Sequence, residues 1–431
     1  MRSATAPLLR LFSGVIILLV GNGLLGTLLG LRASIEGYSN SVTGLVMASY
    51  FAGLVIGARI MPAVFGRIGH VRVFIGLAVI VSVSVLLHGV VVSPLAWAFL
   101  RVVVGICLVG IYIVIDSGLN EQTTIANRRQ VLGAYQSITL IAMGLGQYLI
   151  LFGEVRSQEL FIYAAALVLL SVVPVTWAKP GRPAFESRPL LSLAELRDVS
   201  QVALVGATVA GVANSAFFAL GAVFAFRAGM PMQEIATFMS VVMIGGALLQ
   251  LPLGIASDRF GRRRVLTYIC FSAAALGLII LLLSSRWASG NWVAAFLYGG
   301  ATFVVYPLSV AHANDRIVKK QLFDVDRGLL AAYGRGAVIG PVLAGLFMDR
   351  MGPAGLFVFT AVLLVLFGLF LISRRRRVPT AQNMQRKRFV PLVRTSEAAL
   401  SLHPRSEVQF EKASATTTSG NNAPGADGSE T

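Results

Sequence analysis

The chain has 431 residues, of which 56% are hydrophobic and only 13% charged, with a formal net charge of +17 and a mean hydropathy of +0.77. That balance lies far from the roughly quarter-charged makeup of soluble domains, which excludes an ordinary water-soluble globule. The positive charge is scattered over short hinges instead of being interleaved with aromatic residues on one surface, which excludes nucleic acid as a partner.

Crossing a bilayer takes about 20 apolar residues in a helix, and twelve such stretches follow one another. The first, 10–31, follows Arg2 and Arg10 as a secretory leader would, but it is too long, carries Asn22 mid-span and has no small-residue cleavage site after it. It reads as a retained helix. The second, 43–65, carries Arg59 near one end, and the basic hinge RIGHVRV at 67–73 leads to the third at 73–92. The fourth, 94–115, holds Arg101 and stops before Asp116; the fifth, 131–152, holds Gln147 and Tyr148; the sixth is 159–178. A polar connector with three prolines, 179–200, precedes spans at 201–226, 234–255, 265–284, 290–311, 327–348 and 354–373. The tail, 374–431, opens with RRRR and RKR and ends in Ser, Thr, Asn and Gly. Its basic part is expected to meet anionic lipid headgroups and its end to be disordered.

The hinge at 67–73 returns as RFGRRRV at 259–265, an offset of 259 − 67 = 192 residues. The same offset, taken without a gap, pairs Asn22 with Asn214, Gly53 with Gly245, Gly69 with Gly261, Arg72 with Arg264 and Gly144 with Gly336. Residues 1–178 and 201–373 therefore read as one six-helix unit made twice, joined by the connector 179–200 and followed by the tail. Six is even, so the copies are parallel and both hinges share one membrane face. The expected fold is all-α and polytopic, with two pseudo-symmetric six-helix bundles, an architecture of carriers whose halves rock about a central solute site. With the N-terminus cytoplasmic, 28 of the 36 basic residues fall on the cytoplasmic side, five in outer loops and three within spans. Positive-inside asymmetry then places both termini in the cytoplasm.

The stretch GIASDRFGRRRVL, 254–266, resembles the loop between the second and third helices of a half in the major facilitator superfamily, at Gly254, Asp258, Arg259, Gly261, Arg262 and Arg263. GRIGHVR at 66–72, DSGLNE at 116–121, GQ at 146–147 and YPLSVAHAND at 306–315 are similar to the YcaD-like branch of that superfamily. The resemblance covers most of residues 10–373. It implies a monomeric secondary carrier of the bacterial inner (plasma) membrane that needs no cofactor, takes a small-molecule solute and leaves room for a coupling ion. Three features bear on the family pattern. Gly66 stands where the second copy has Asp258; Arg101 and Gly105 keep the family's Arg-x-x-x-Gly spacing; the Gly-Pro pair of export-type members is absent from the fifth span and occurs instead in GAVIGPVLAG, 336–345.

The candidate site residues fall into three groups. Arg67, Gly69, Arg72, Asp258, Arg259, Gly261, Arg262 and Arg264 form the hinge loops, where Asp258 could latch onto the start of the fifth span near Arg128, Arg129 and Gln130; a solvated, topology-setting loop is the alternative. Asn22, Arg101, Gln147, Asn214, Tyr306 and Arg335 are the polar residues expected around a central cavity, with helix-to-helix hydrogen bonding the equal alternative for the amides and Tyr306. Charges as deep as Arg101 and Arg335 cost about 2.5–3.5 kcal/mol to insert and normally face a bundle interior, and with no carboxylate expected in the deep spans, an anionic or zwitterionic solute or backbone carbonyls would supply the counter-charge. Each could equally be a structural anchor. Gly336, Gly340 and Pro341 mark a bendable gate helix with a small-residue face, a purely static packing face being the equal alternative.

Enzyme motifs are missing: there is no HExxH or GxSxG, and no lysine follows a glycine as a phosphate-binding loop requires. Cys107 and Cys270 lie far apart, which argues against a disulfide or metal pair. A solute sensor derived from a carrier and a proton-coupled exporter are the competing functions, with His88 and His312 the titratable candidates near helix ends.

Overall fold

The computed structural model describes residues 5–68, 70–124, 127–178, 191–283, 292–317 and 321–374. Twelve helices are present among them: α1 (Thr5–Ile35), α2 (Asn40–Ile68), α3 (His70–Val90), α4 (Pro94–Glu121), α5 (Arg128–Gly146), α6 (Glu159–Trp177), α7 (Leu193–Arg227), α8 (Met232–Phe260), α9 (Arg262–Leu283), α10 (Trp292–Asn314), α11 (Leu322–Met351) and α12 (Gly355–Ser373). Eleven stretches are long and apolar enough to cross a membrane, and the last, Leu322–Ser373, contains both α11 and α12. The sequence expectation of an all-α polytopic protein holds. The tail beyond 374, Gly69 and residues 179–190 lie outside the described residues, as do the side chains of Arg67, Arg128 and Arg129.

The repeat is visible in how helices end. Gly37 and Gly229, at φ of 80° and 83°, terminate α1 and α7 with left-handed residues. In each case the next residue bonds back five positions, Tyr38 N to Ala33 O at 3.0 Å and Met230 N to Ala225 O at 3.1 Å, which satisfies carbonyls that a helix end leaves bare. The 192-residue offset also relates the ends of α1 and α7, both ends of α2 and α8, and the starts of α3 and α9. Further along it drifts. A Cβ at Gly146 would run into the carbonyl of Val20, and one at Gly340 into that of Val212, so the equivalent glycines of α5 and α11 are Gly146 and Gly340, 194 residues apart. The gapless pairing of Gly144 with Gly336 is thereby corrected.

Within each half the helices cross where small residues let backbones meet. Gly53 and Gly105 place α2 against α4, and Gly245 and Gly299 place α8 against α10; a methyl group on any of the four would strike the facing backbone. Close approach of this kind replaces the hydrophobic effect as the source of cohesion in lipid. Residues 193–199, assigned to the connector on sequence, are helical. Ser192 and Glu195 form a capping box at their start, and the chain breaks at Ser200 (φ −162°, ψ 99°) before the spanning part of α7.

Candidate functional site

The starts of α1 and α9 meet the ends of α6 and α12: Arg10 Nη1 donates to Trp177 O at 3.0 Å and Arg263 Nε to Leu371 O at 2.9 Å. We call this the terminal end of the bundle and the opposite one the distal end. At the distal end the halves are joined. Asp349 accepts from the backbone of Asn40 and Ser41, Arg227 Nη2 donates to Tyr38 O at 2.9 Å, Ser240 Oγ donates to Gly144 O at 2.6 Å, and the hydroxyls of Tyr148 and Thr237 stand 3.2 Å apart. A Cβ at Gly44 would run into Pro341 O, and one at Gly345 into Asn40 O, so α2 and α11 touch backbone to backbone across the seam.

Toward the terminal end the two central helices are accessible at equivalent positions, Phe12, Ser13 and Ile16 in α1 and Leu204, Val205 and Thr208 in α7. Their distal stretches, 23–33 and 209–225, are buried with two exceptions, Gly26 and Phe218. The central helices are thus more accessible toward the terminal end, and the halves are joined at the distal seam.

A polar cluster lies in the first half. Arg101 of α4 is buried, and its guanidinium carbon lies 4.5 Å from the centroid of the Tyr50 ring of α2. The Tyr50 hydroxyl interacts with Tyr112 of α4 and Asn22 of α1. The aromatic face covers one side of the guanidinium, but Arg101 Nε and Nη1 have no hydrogen-bond partner. Asp116 is fully buried because α4 continues to Glu121, and it accepts a 2.6 Å bond from the Tyr135 hydroxyl. The sequence placed it at the end of the span. It stands 15 positions from Arg101, about 22 Å along the helix, too far to serve as a counter-ion.

The remaining predicted residues scatter. Asn214 is fully buried with neither amide atom bonded. Tyr306 is fully buried edge-on to Tyr333, with centroids 5.0 Å apart. Gln147 is buried and engaged: it accepts from Thr27, and its Nε2 donates to Gly23 O at 3.1 Å and Met143 O at 3.0 Å, stapling α5 to α1. Arg335 is exposed on the α11 stripe that carries exposed Ile339 and Leu343. Gly336 and Gly340 pack on α7, while the Pro341 carbonyl faces Gly44.

At the terminal end Gly261, at φ 95°, turns α8 into α9. Arg262 bridges Asp258, at 3.0 Å, and Asp315 at the end of α10. Arg259, Arg264 and Arg72 are exposed. Both cysteines are free and buried, and no cluster able to hold a metal ion occurs among the described residues. His88 Nδ1 lies 2.6 Å from Ser84 O, and its backbone carbonyl accepts from Trp97 Nε1 at 3.1 Å, ties that suit a packing role. Tyr50, Gly26, Phe218 and Asp349 were not singled out on sequence. Gly26 and Phe218 could have been, since they obey the 192-residue offset.

Comparison with known proteins gives one consistent result. The family model described as Major Facilitator Superfamily matches residues 11–321. An uncharacterized MFS-type transporter YcaD of Escherichia fergusonii is 26% identical over 374 residues, 86% of this chain and 97% of that protein. Its Escherichia coli counterpart is 26% identical over 381 residues, 88% of this chain and 98% of that protein. Among solved structures, the nucleoside transporter NupG superposes with a TM-score of 0.71 at 15% identity, covering 86% of this chain and all of that one. A bacterial homolog of the human lysosomal transporter Spinster, inward-facing and occupied, gives 0.66 at 17% identity, over 86% and 96% of the two chains. At those identities the structures speak for the fold alone.

Proposed function

Given that the chain belongs to the major facilitator superfamily and is a multi-pass secondary transporter, we propose that it carries a small anionic or zwitterionic organic solute by alternating access, with both termini cytoplasmic. The observation that carries this reading is Arg101, a buried cation whose Nε and Nη1 have no hydrogen-bond partner. Arginine stays charged in any protein environment, and a lone charge in a membrane interior costs several kcal/mol unless an opposite charge or water meets it. A carboxylate can accept from the guanidinium edge, while Asn22 and the hydroxyl of Tyr50 supply neutral hydrogen bonds beside it. The Tyr50 ring leaves that edge free and fixes the guanidinium plane.

In the state described the solute enters from the terminal, cytoplasmic end. Transfer requires the distal seam to part, so Asp349 leaves the start of α2 and the α2–α11 backbone contact opens. At the other end the halves close, and Asp258 turns toward the start of α5, which gives the hinge loop its latch role. The distribution of basic residues supports the orientation. Of the two histidines considered for proton coupling, His88 is bound into a packing network.

Counterflow of labelled small carboxylates and amino acids in proteoliposomes tests the proposal. Exchange should occur in the wild type and vanish in Arg101→Gln. Exchange of cations instead, or undiminished anion exchange in the variant, would overturn it, and binding without exchange would favour a sensor.

A further inference from the structure

The two halves are built from one plan but differ in chemistry. Asn22 and Asn214 are equivalent, and one helical turn on from each stand Gly26 and Phe218, also 192 residues apart. These are the two accessible positions in otherwise buried stretches of α1 and α7. A Cβ at Gly26 would meet nothing within 4 Å, so the first half leaves open space there. Phe218 fills the matching place in the second half, and its ring lies parallel to that of Phe303, with centroids 5.2 Å apart and planes at 7°.

Gly26 and Phe218 flank the same contact between α1 and α7. One turn further along α1, a Cβ at Gly30 would touch Val223 at 3.2 Å and the Ala219 carbonyl at 3.4 Å, which closes α1 onto α7 directly distal to the open position. The charge is equally one-sided. At the 194-residue spacing that relates Gly105 to Gly299, Arg101 corresponds to Ala295, and at the 192-residue spacing Tyr50 corresponds to Val242. One wall offers a cation and hydrogen bonds; the other offers the edge of a stacked ring pair.

From this asymmetry we infer that the solute is an aromatic carboxylate, its carboxylate held by Arg101, Asn22 and the Tyr50 hydroxyl and its ring lying in the open space at Gly26 against Phe218. This deepens the carrier reading above and rests on it. A planar ring gains from offset or edge contact with Phe218 beyond the burial of its apolar area. A carboxylate lacking a ring would leave the gap at Gly26 unfilled.

The test is equilibrium binding of phenylacetate, phenylacetamide and propionate to the full chain in nanodiscs, together with counterflow. Phenylacetate should bind about tenfold or more tighter than either of the others, since each lacks one of the two contacts. Phe218→Ala, and Phe218→Leu as the volume-conserving check on folding, should bring phenylacetate to the level of propionate while leaving propionate unchanged. Arg101→Gln should bring it to the level of phenylacetamide. Gly26→Leu should abolish phenylacetate binding with an unaltered melting temperature, because the added side chain enters empty space. Equal binding of phenylacetate and propionate, a ring preference that survives both Phe218 variants, or no binding by any of the three would overturn the inference. Counterflow of small anions without ring preference would remove this inference alone; absence of all solute exchange would remove the carrier reading with it.

Discussion

The carboxylate of Asp349, in the last turn of α11, caps the first turn of α2 in the opposite half, accepting from Asn40 N at 2.8 Å and Ser41 N at 3.0 Å. Helices leave their first N–H groups without partners. Ser39 Oγ serves the next donor, Val42 N, at 3.2 Å, so the start of α2 is satisfied partly by its own half and partly by the other. The equivalent start of α8, after Pro231, has no side-chain cap.

Removing that cap should favour the state with an open distal end. Asp349→Ala is expected to cost the sealed state about 0.5–1 kcal/mol, the usual worth of an exposed cap, a shift of roughly two- to fivefold in population. The readout is the alkylation rate of a cysteine replacing Val223, which the seam buries against Gly30. Faster labelling at an unchanged melting temperature is expected; an unchanged rate would show that the cap does not hold the seam.

Glycine substitutions should separate two kinds of contact. Gly44→Val intrudes on Pro341 across the halves, so it should block closure of the distal end and leave each bundle stable. Gly299→Val intrudes on Val242 within the second half and should lower stability by about 1–3 kcal/mol, as overpacking does. Melting curves and Val223 cysteine accessibility together distinguish the two.

Arg101 gives a prediction in which stability and function move apart. A buried charge with two nitrogens left without hydrogen-bond partners is kept at a cost to the fold, so Arg101→Met should raise the melting temperature while abolishing solute exchange. A structural anchor would behave oppositely, with the substitution lowering stability.

The hinge network has its own expected ranking. Asp315 is the more buried partner of Arg262, with 13% side-chain exposure against 24% for Asp258. Asp315→Asn should therefore destabilise more than Asp258→Asn, by about 2–3 kcal/mol against less than about 1 kcal/mol. Transport should fall in Asp258→Asn even so, because the latch proposed for it belongs to the other state. Unfolding measurements and initial exchange rates check the pair.

Much of the architecture was legible because a bilayer forces apolar length on every span, and a duplication writes the same punctuation twice. Gly261, which must adopt a positive φ, kept its place in the repeated hinge. The register of α5 with α11 was misread by two residues, since an offset carried without gaps cannot see small insertions after α9. Asn22, Arg101 and Asn214 stood out as polar atoms in apolar runs. Tyr50 did not, because a tyrosine in a span reads as part of the apolar background until its ring is seen against a guanidinium. Asp349 was hidden for another reason: it lies at an exposed helix end, and its partner Asn40 is 309 residues away. Gln147 looked like a cavity amide, yet sequence gives no sign that its bonds are spent between α1 and α5.

The most direct test of alternating access is a pair of distance measurements on the same protein under solute titration. One spin-label pair would bridge the distal seam at Leu45 and Arg350, and the other the terminal end at Gln130 and Arg259, all exposed positions, with both native cysteines buried. The expected result is that a transported solute shifts population toward a state in which the distal distance lengthens as the terminal distance shortens. Distances that stay fixed while solute is exchanged, or that widen together, would contradict it.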